Sequence, residues 1–155
     1  MDGYGYGTHQ RLLTRYLMRT TGPILELGCG NYSTPIIHEI AEAQARRVDT
    51  FDNNADWISK FVQLTSSLHG FHCVESWDEF CPQHHYGLAL IDHAPAARRI
   101  LEIRRLLDWV GIFVIHDTED QHYGYHRVFP LLDVLETDVS MTPWTLVASP
   151  KATTE

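Results

Sequence analysis

Short apolar runs, each ending near a charged or imidazole side chain and each followed by a helical pattern, constrain this chain more than any other feature. Ile24-Leu25-Glu26-Leu27 leads into Gly28-Cys29-Gly30, and Val48 to Asp52 ends on an acid. Tyr86 to Asp92 is apolar until its last residue, and Ile112-Phe113-Val114-Ile115 runs into His116-Asp117. Continuous rather than alternating apolar strands are buried on both faces, as parallel strands are. Between them, apolar residues recur at helical spacing: Leu12, Leu13, Tyr16 and Leu17 within Thr8 to Arg19, then Ile36, Ile37, Ile40 and Ala41 after Thr34-Pro35. A capping hydroxyl followed by proline marks the start of that second helix. Trp57, Ile58, Phe61 and Val62 form a third set, and Ile100, Ile103 and Leu107 a fourth within Ala96 to Trp109. Phe71 to Glu75 reads as another strand, Tyr125 to Leu132 as a short helix, and Leu135–Val139 with Trp144–Ser149 as a closing hairpin. Strands alternating with helices give right-handed βαβ units. The expected fold is α/β: a doubly wound, mostly parallel sheet of seven strands, helices on both faces and a C-terminal antiparallel hairpin.

With 155 residues, 44% of them hydrophobic, the chain suits one domain with its own core. Its three cysteines, Cys29, Cys73 and Cys81, lack C-x-x-C spacing, which argues against a zinc ribbon or disulfide framework and for a reducing, cytoplasmic setting. No apolar run reaches the length of a membrane span, and the polar, Gly/Tyr-rich start does not resemble a signal peptide. A formal net charge of −8 offers nucleic acid little general attraction.

In such a sheet, ligands bind beyond the carboxyl ends of the strands, where strand order reverses. The residues expected there are Gly28 to Gly30, Asp52-Asn53, Glu75 to Asp78, Asp92-His93 and His116-Asp117. The glycine loop is the sharpest signal. A dinucleotide loop has a third glycine, and Ser33 stands in its place here. Glu26, two residues before the loop, would repel a pyrophosphate but attract an ammonium group. Asp52, 22 residues after Gly30, is suited to a ribose diol. Each has a plainer reading: a tight turn for the glycines, a helix cap for Asp52.

The stretch Glu26-Leu27-Gly28-Cys29-Gly30-Asn31-Tyr32-Ser33 resembles the first motif of the class I S-adenosylmethionine (SAM)-dependent methyltransferases, and the likeness extends from about Pro23 to Ser149. It implies a Rossmann-like sheet of order 3-2-1-4-5-7-6 with strand 7 antiparallel. It also implies that Gly28, Cys29, Gly30 and Ser33 pass near the methionine part of SAM, with Glu26 near its amino group. Asp52 and Asn53 would meet the ribose, Trp77 and Asp78 the adenine, and Asp92 the cofactor cleft. Packing in the core is the alternative for Trp77.

Methyl transfer is an in-line displacement, so positioning does much of the work. An alcohol acceptor must also lose a proton, to a base or with the help of a metal. Asp92-His93 and His116-Asp117 close neighbouring strands and supply candidates for both routes: His116 or His93 as base, or magnesium between Asp92 and Asp117. The pattern Ile91-Asp92-His93-Ala94-Pro95 with His116-Asp117-Thr118 is similar to O-methyltransferases acting on catechols, on sugars of natural products and, more weakly, on glucuronoxylan. Thr118 departs from the asparagine ligand of the catechol type. His122 and His126 are candidates for the acceptor mouth. The expected protein is a single methyltransferase domain over residues 1–155, its first 22 residues forming a helix and lid. It acts on a small-molecule or glycan hydroxyl, without nucleic acid or membrane, or with a pocket completed by a second copy in a homodimer. A non-catalytic SAM- or partner-binding module is the main alternative, and an NAD-dependent oxidoreductase a weaker one.

Overall fold

Seven strands form one sheet in the computed structural model, which describes residues 5–153. In chain order they are β1 (Ile24–Leu27), β2 (Val48–Asp52), β3 (His69–Cys73), β4 (Tyr86–Ile91), β5 (Val110–His116), β6 (Leu132–Asp138) and β7 (Thr145–Pro150). Their order across the sheet is β3-β2-β1-β4-β5-β7-β6. Strands β1 to β5 run parallel, and β7 lies antiparallel between β5 and β6. The expected class and strand order are both present. Because β1 pairs with β2 on one side and β4 on the other, strand order reverses at β1, and a crevice opens beyond the ends of β1 and β4.

Alternate residues of each strand feed two core layers. On one face Ile24, Val48, Leu88, Leu90, Val114 and Val147 pack with helices α1 (Gln10–Arg19) and α2 (Thr34–Gln44) through Leu12, Leu13, Leu17, Ile37 and Ala41. On the other, Leu25, Leu27, Ala89, Ile91, Phe113 and Ile115 meet Ile103 of helix α4 (Arg99–Arg105) and the aromatic Phe80, Tyr125 and Trp77.

Several boundaries differ from expectation. β3 begins at His69, earlier than Phe71, because its register follows β2, from Val48 opposite His69 to Asp52 opposite Cys73. The helix expected around Trp57 to Val62 is a single turn, α3 (Ala55–Ile58), followed by a 3-10 turn at Val62–Leu64. α4 is shorter than Ala96 to Trp109, with a 3-10 turn at Ala96–Arg98 before it. The helix expected at Tyr125 to Leu132 is two 3-10 turns, since Pro130 has no amide hydrogen to continue a helical ladder. Thr34 opens α2 but its hydroxyl does not cap it; it points to Glu26 instead. Among the described residues no helix is long and apolar enough to cross a membrane.

Candidate active site

The loop after β1 is shaped by two glycines with different tasks. Gly28 has φ +87°, and a Cβ there would lie 2.6 Å from the Asp92 carbonyl oxygen, so a side chain fits neither the backbone nor the space. Gly30 faces open room, where a Cβ would meet only Ser33 Oγ at 3.8 Å. Gly28 thus lets β1 and β4 close together, and Gly30 leaves its backbone open to the larger of the cavities below.

Glu26 lies beneath this loop, fully buried, and lines neither of the cavities below, so its carboxyl acts on the site through the loop. It is opposite Thr50 in the register, and it accepts from Thr50 Oγ1 at 2.8 Å, Ser33 Oγ at 2.6 Å and Thr34 Oγ1 at 2.9 Å. Thr34 Oγ1 in turn accepts from the Gly30 amide at 2.9 Å. The carboxyl therefore braces the loop through two hydroxyls. Burial pushes its pKa up to about 7, although the hydroxyl bonds oppose the rise.

Asp52 ends β2 and holds the loop from the other side. Its Oδ2 accepts from the Cys29 amide at 3.0 Å, and its Oδ1 from the Asn54 amide at 2.9 Å. Burial pushes the Cys29 thiol pKa upward, so it is a neutral wall and not a nucleophile.

Two cavities meet over this loop. One, of about 650 Å³, runs along Gly28, Asp52, Asn53, Asn54 and Pro95. The other, of about 890 Å³, is bounded by Tyr6, Tyr32, Ser33, Tyr123, His116 and Asp117. Cys29, Trp57 and Asp92 line both. Trp57 is fixed at this junction by donating Nε1–H to the Cys29 carbonyl at 2.7 Å.

The ends of β4 and β5 bring Asp92, His116 and Asp117 together. His116 Nδ1 lies 3.1 Å from Asp92 Oδ1. Burial depresses the imidazolium form, but the bond to Asp92 and the charges of Asp92 and Asp117 outweigh it, and the pKa of His116 is raised. Burial would likewise raise Asp92, but the bond from His116 and the charges of His116 and Arg99 hold it below the usual carboxylate range. Asp117 has φ +59°, which swings its carboxylate back onto Arg99 Nη1 at 2.8 Å. Arg99 Nη2 is 3.2 Å from Asp92. A guanidinium therefore bridges the two carboxylates expected to hold magnesium. One oxygen of each carboxylate is thus committed to Arg99, whose positive charge stands beside the place where magnesium is expected.

The segment before α1 closes over this rim. Thr8 Oγ1 donates to the Pro143 carbonyl at 2.6 Å and lies 3.0 Å from His116 Nε2. His9, 2% exposed, sets its ring edge-on to His116 at a centroid distance of 4.7 Å. Gly5 and Tyr6 line the larger cavity, whereas Gly3 and Tyr4 lie outside the described residues.

Other expected site residues are elsewhere. The His93 side chain is fully buried, stacks on Trp77 and meets Glu102 at 3.2 Å, so it cannot reach an acceptor. Trp77 is a core residue, 3% exposed, whose Nε1–H goes to the Ala94 carbonyl. Asp78 pairs with Arg98 at 2.8 Å on the surface, outside both cavities. His122 and His126 are exposed, and Tyr123 between them lines the cavity. Sequence reasoning missed Trp57, Arg99 and His9. Trp57 was legible only as a helix-face residue, and the other two gain their places through contacts distant in the chain.

No family model matches the sequence, and no curated protein matches it. Solved structures do match. The O-methyltransferase TomG from Streptomyces achromogenes, solved with SAM, has a TM-score of 0.69 at 15% identity, over 95% of this chain and 80% of its own. A 1,6-didemethyltoxoflavin N1-methyltransferase from Burkholderia thailandensis, with bound S-adenosylhomocysteine, has 0.67 at 14%, over 93% and 77%. An rRNA methylase from Streptococcus thermophilus has 0.61 at 13%, over 97% and 98%. By name these neighbours are an O-methyltransferase, an N1-methyltransferase and an rRNA methylase, so one fold serves different acceptors. The chain has the fold of the class I SAM-dependent methyltransferases.

Proposed function

We propose that this protein is a SAM-dependent methyltransferase acting on a hydroxyl group of a sugar, glycan or other natural product. On this reading residues 1–155 form one methyltransferase domain, with the first 22 residues serving as helix and lid. The observation that carries it is the pair of cavities joined at Cys29, Trp57 and Asp92, which puts a ligand in one against a ligand in the other. Their volumes of about 650 and 890 Å³ suit a nucleoside-sized and an acceptor-sized group.

When bound, SAM supplies a methyl group made electrophilic by its sulfonium charge. The chain's own residues do the rest. Asp52 and Asn53 accept and donate hydrogen bonds at the ribose edge of the smaller cavity. Gly30 and Cys29 offer backbone without a bulky side chain where the methionine part lies. Tyr6, Tyr32, Trp57 and Tyr123 give aromatic walls against which a sugar or aromatic ring packs. The His116–Asp92 pair at the same wall is the group that makes an acceptor hydroxyl nucleophilic. Arg99 is the only arginine or lysine among the described residues lining the larger cavity, and it is tied to two carboxylates. With a net charge of −8, this favours a small acceptor over a phosphate backbone.

The test is transfer of labelled methyl from SAM to a panel of catechols, sugars, glycan fragments and bulk RNA. Label on a hydroxyl compound is the expected result. Label confined to RNA, or to an amine, overturns the acceptor class.

A further inference from the structure

We propose that His9, Asp92 and His116 form a binding site for one divalent transition-metal ion at the wall of the larger cavity. One ligand atom from each of the three lies within 4.8 Å of the others. A tetrahedral ion with bonds of about 2.0–2.2 Å needs them roughly 3.4 Å apart, so a closure of at most roughly 1.4 Å by side-chain rotation completes the set.

The independent observation is His9. Its side chain is buried at the cavity wall, yet neither ring nitrogen has a hydrogen-bond partner among the described residues. The Tyr32 backbone is a polar group that acts on the ring, and its approach falls short of full hydrogen-bond geometry. A buried imidazole with both nitrogens unpaired is costly, and buried polar groups of this kind are seldom left so. A lone pair offered to a metal removes the cost on one nitrogen.

The donor set selects the ion. Two imidazoles and one carboxylate suit zinc, iron(II) or cobalt(II), while magnesium prefers oxygen ligands. Three protein ligands leave a position open toward the cavity, as in catalytic sites. The cationic neighbour is Arg99, whose charge is answered by Asp117 at 2.8 Å. Asp92 Oδ1 carries the contacts to His116 and Arg99; among the described residues its Oδ2 makes no hydrogen bond. On binding, the ion replaces the His116–Asp92 hydrogen bond at Nδ1; His116 keeps one proton, on Nε2 toward Thr8 Oγ1 3.0 Å away, and a second proton, where His116 carries one, leaves to solvent.

The ion's use rests on the reading of this cavity as the acceptor site; its binding does not. An acceptor hydroxyl in the open position would be acidified by the ion, with His116 and Asp92 acting as ligands.

The test is titration of the metal-stripped full chain with cobalt(II), read by its visible absorption, and with zinc by equilibrium dialysis. The expected result is one ion per chain, with affinity at least about tenfold weaker in His9→Ala and in Asp92→Asn. S-adenosylhomocysteine affinity of His9→Ala, measured alongside, reports that the fold and cofactor cleft persist, and His9→Gln serves if His9→Ala fails to fold. No binding by wild type, or equal binding by a folded His9 variant, overturns the site. Loss of S-adenosylhomocysteine binding in wild type, with metal binding intact, would instead overturn the cofactor reading alone.

Discussion

Asp117 turns its carboxylate back onto Arg99, at 2.8 Å, by adopting the left-handed backbone that non-glycine residues seldom take. The pair keeps a full charge inside the protein. Arg99→Leu leaves Asp117 without its cation and Asp92 with His116 alone. It is expected to lower unfolding free energy by about 3–5 kcal/mol, the usual result of breaking a buried pair. Arg99→Lys should recover only part of this, because an ammonium cannot span both partners as a planar fork does. Urea denaturation of both variants checks it, and a wild-type midpoint for Arg99→Leu would contradict it.

The two loop glycines should separate folding from binding. Gly28→Ala puts a Cβ 2.6 Å from backbone at a φ of +87°, and should cost at least about 2 kcal/mol of stability. Gly30→Val meets open space in the fold and should stay folded, while weakening S-adenosylhomocysteine binding at least about tenfold. Thermal melts and calorimetry on the pair distinguish the two effects. Reversal of the pattern would mean that Gly30 does not face the ligand.

Asp52→Ala should weaken S-adenosylhomocysteine binding by about 1.5–3 kcal/mol, the range for a hydrogen bond to a charged group. Part of that loss reflects the loop, since Asp52 also holds the Cys29 amide. Asp52→Asn keeps one acceptor oxygen and should lose less. Calorimetry that finds unchanged affinity in a folded Asp52→Ala removes this residue from the cofactor cleft.

Glu26 gives the chain a pH signature. Its folded pKa of about 7 lies above the ordinary 4.5 of an unfolded glutamate. Between those values the folded state holds more protons, so stability falls as pH rises from about 4.5 to 7 and levels off above. Over that span the loss is on the order of 3 kcal/mol. Glu26→Gln removes the ionisation. The unfolding free energy of wild type minus that of Glu26→Gln should therefore drop between pH 5 and pH 8. A difference that stays constant across this range would mean Glu26 is ionised throughout.

What could be read from the chain alone divides along physical lines. β1, β4 and β5 are buried on both faces, so their composition is continuous and apolar and their charged ends stand out. β3 lies at the sheet edge and grades from buried His69 to exposed Cys73, leaving no such contrast, and its start was misjudged. Asp52, Asp92 and His116 stand out because each is an acid or imidazole that closes an apolar run, and Glu26 because it interrupts one. Trp77 and His93 carry the same residue chemistry but turn into the core, where Trp77 pairs with the Ala94 carbonyl and His93 with Glu102. Nothing local decides that direction. Arg99 reads as one more charge on a helix, and only the return of β5 brings Asp117 to it. His9 sits before the first helix and reaches the site because residues 5–9 dock against Pro143 and His116.

The most direct test is a calorimetric titration of the purified chain with S-adenosylhomocysteine, with NAD as the competing ligand and Gly30→Val as the control. The expected result is saturable binding of S-adenosylhomocysteine at one site per chain, no heat from NAD, and loss of the signal in a folded Gly30→Val. Binding of NAD without S-adenosylhomocysteine, or equal S-adenosylhomocysteine affinity in Gly30→Val, would contradict the assignment of this cleft.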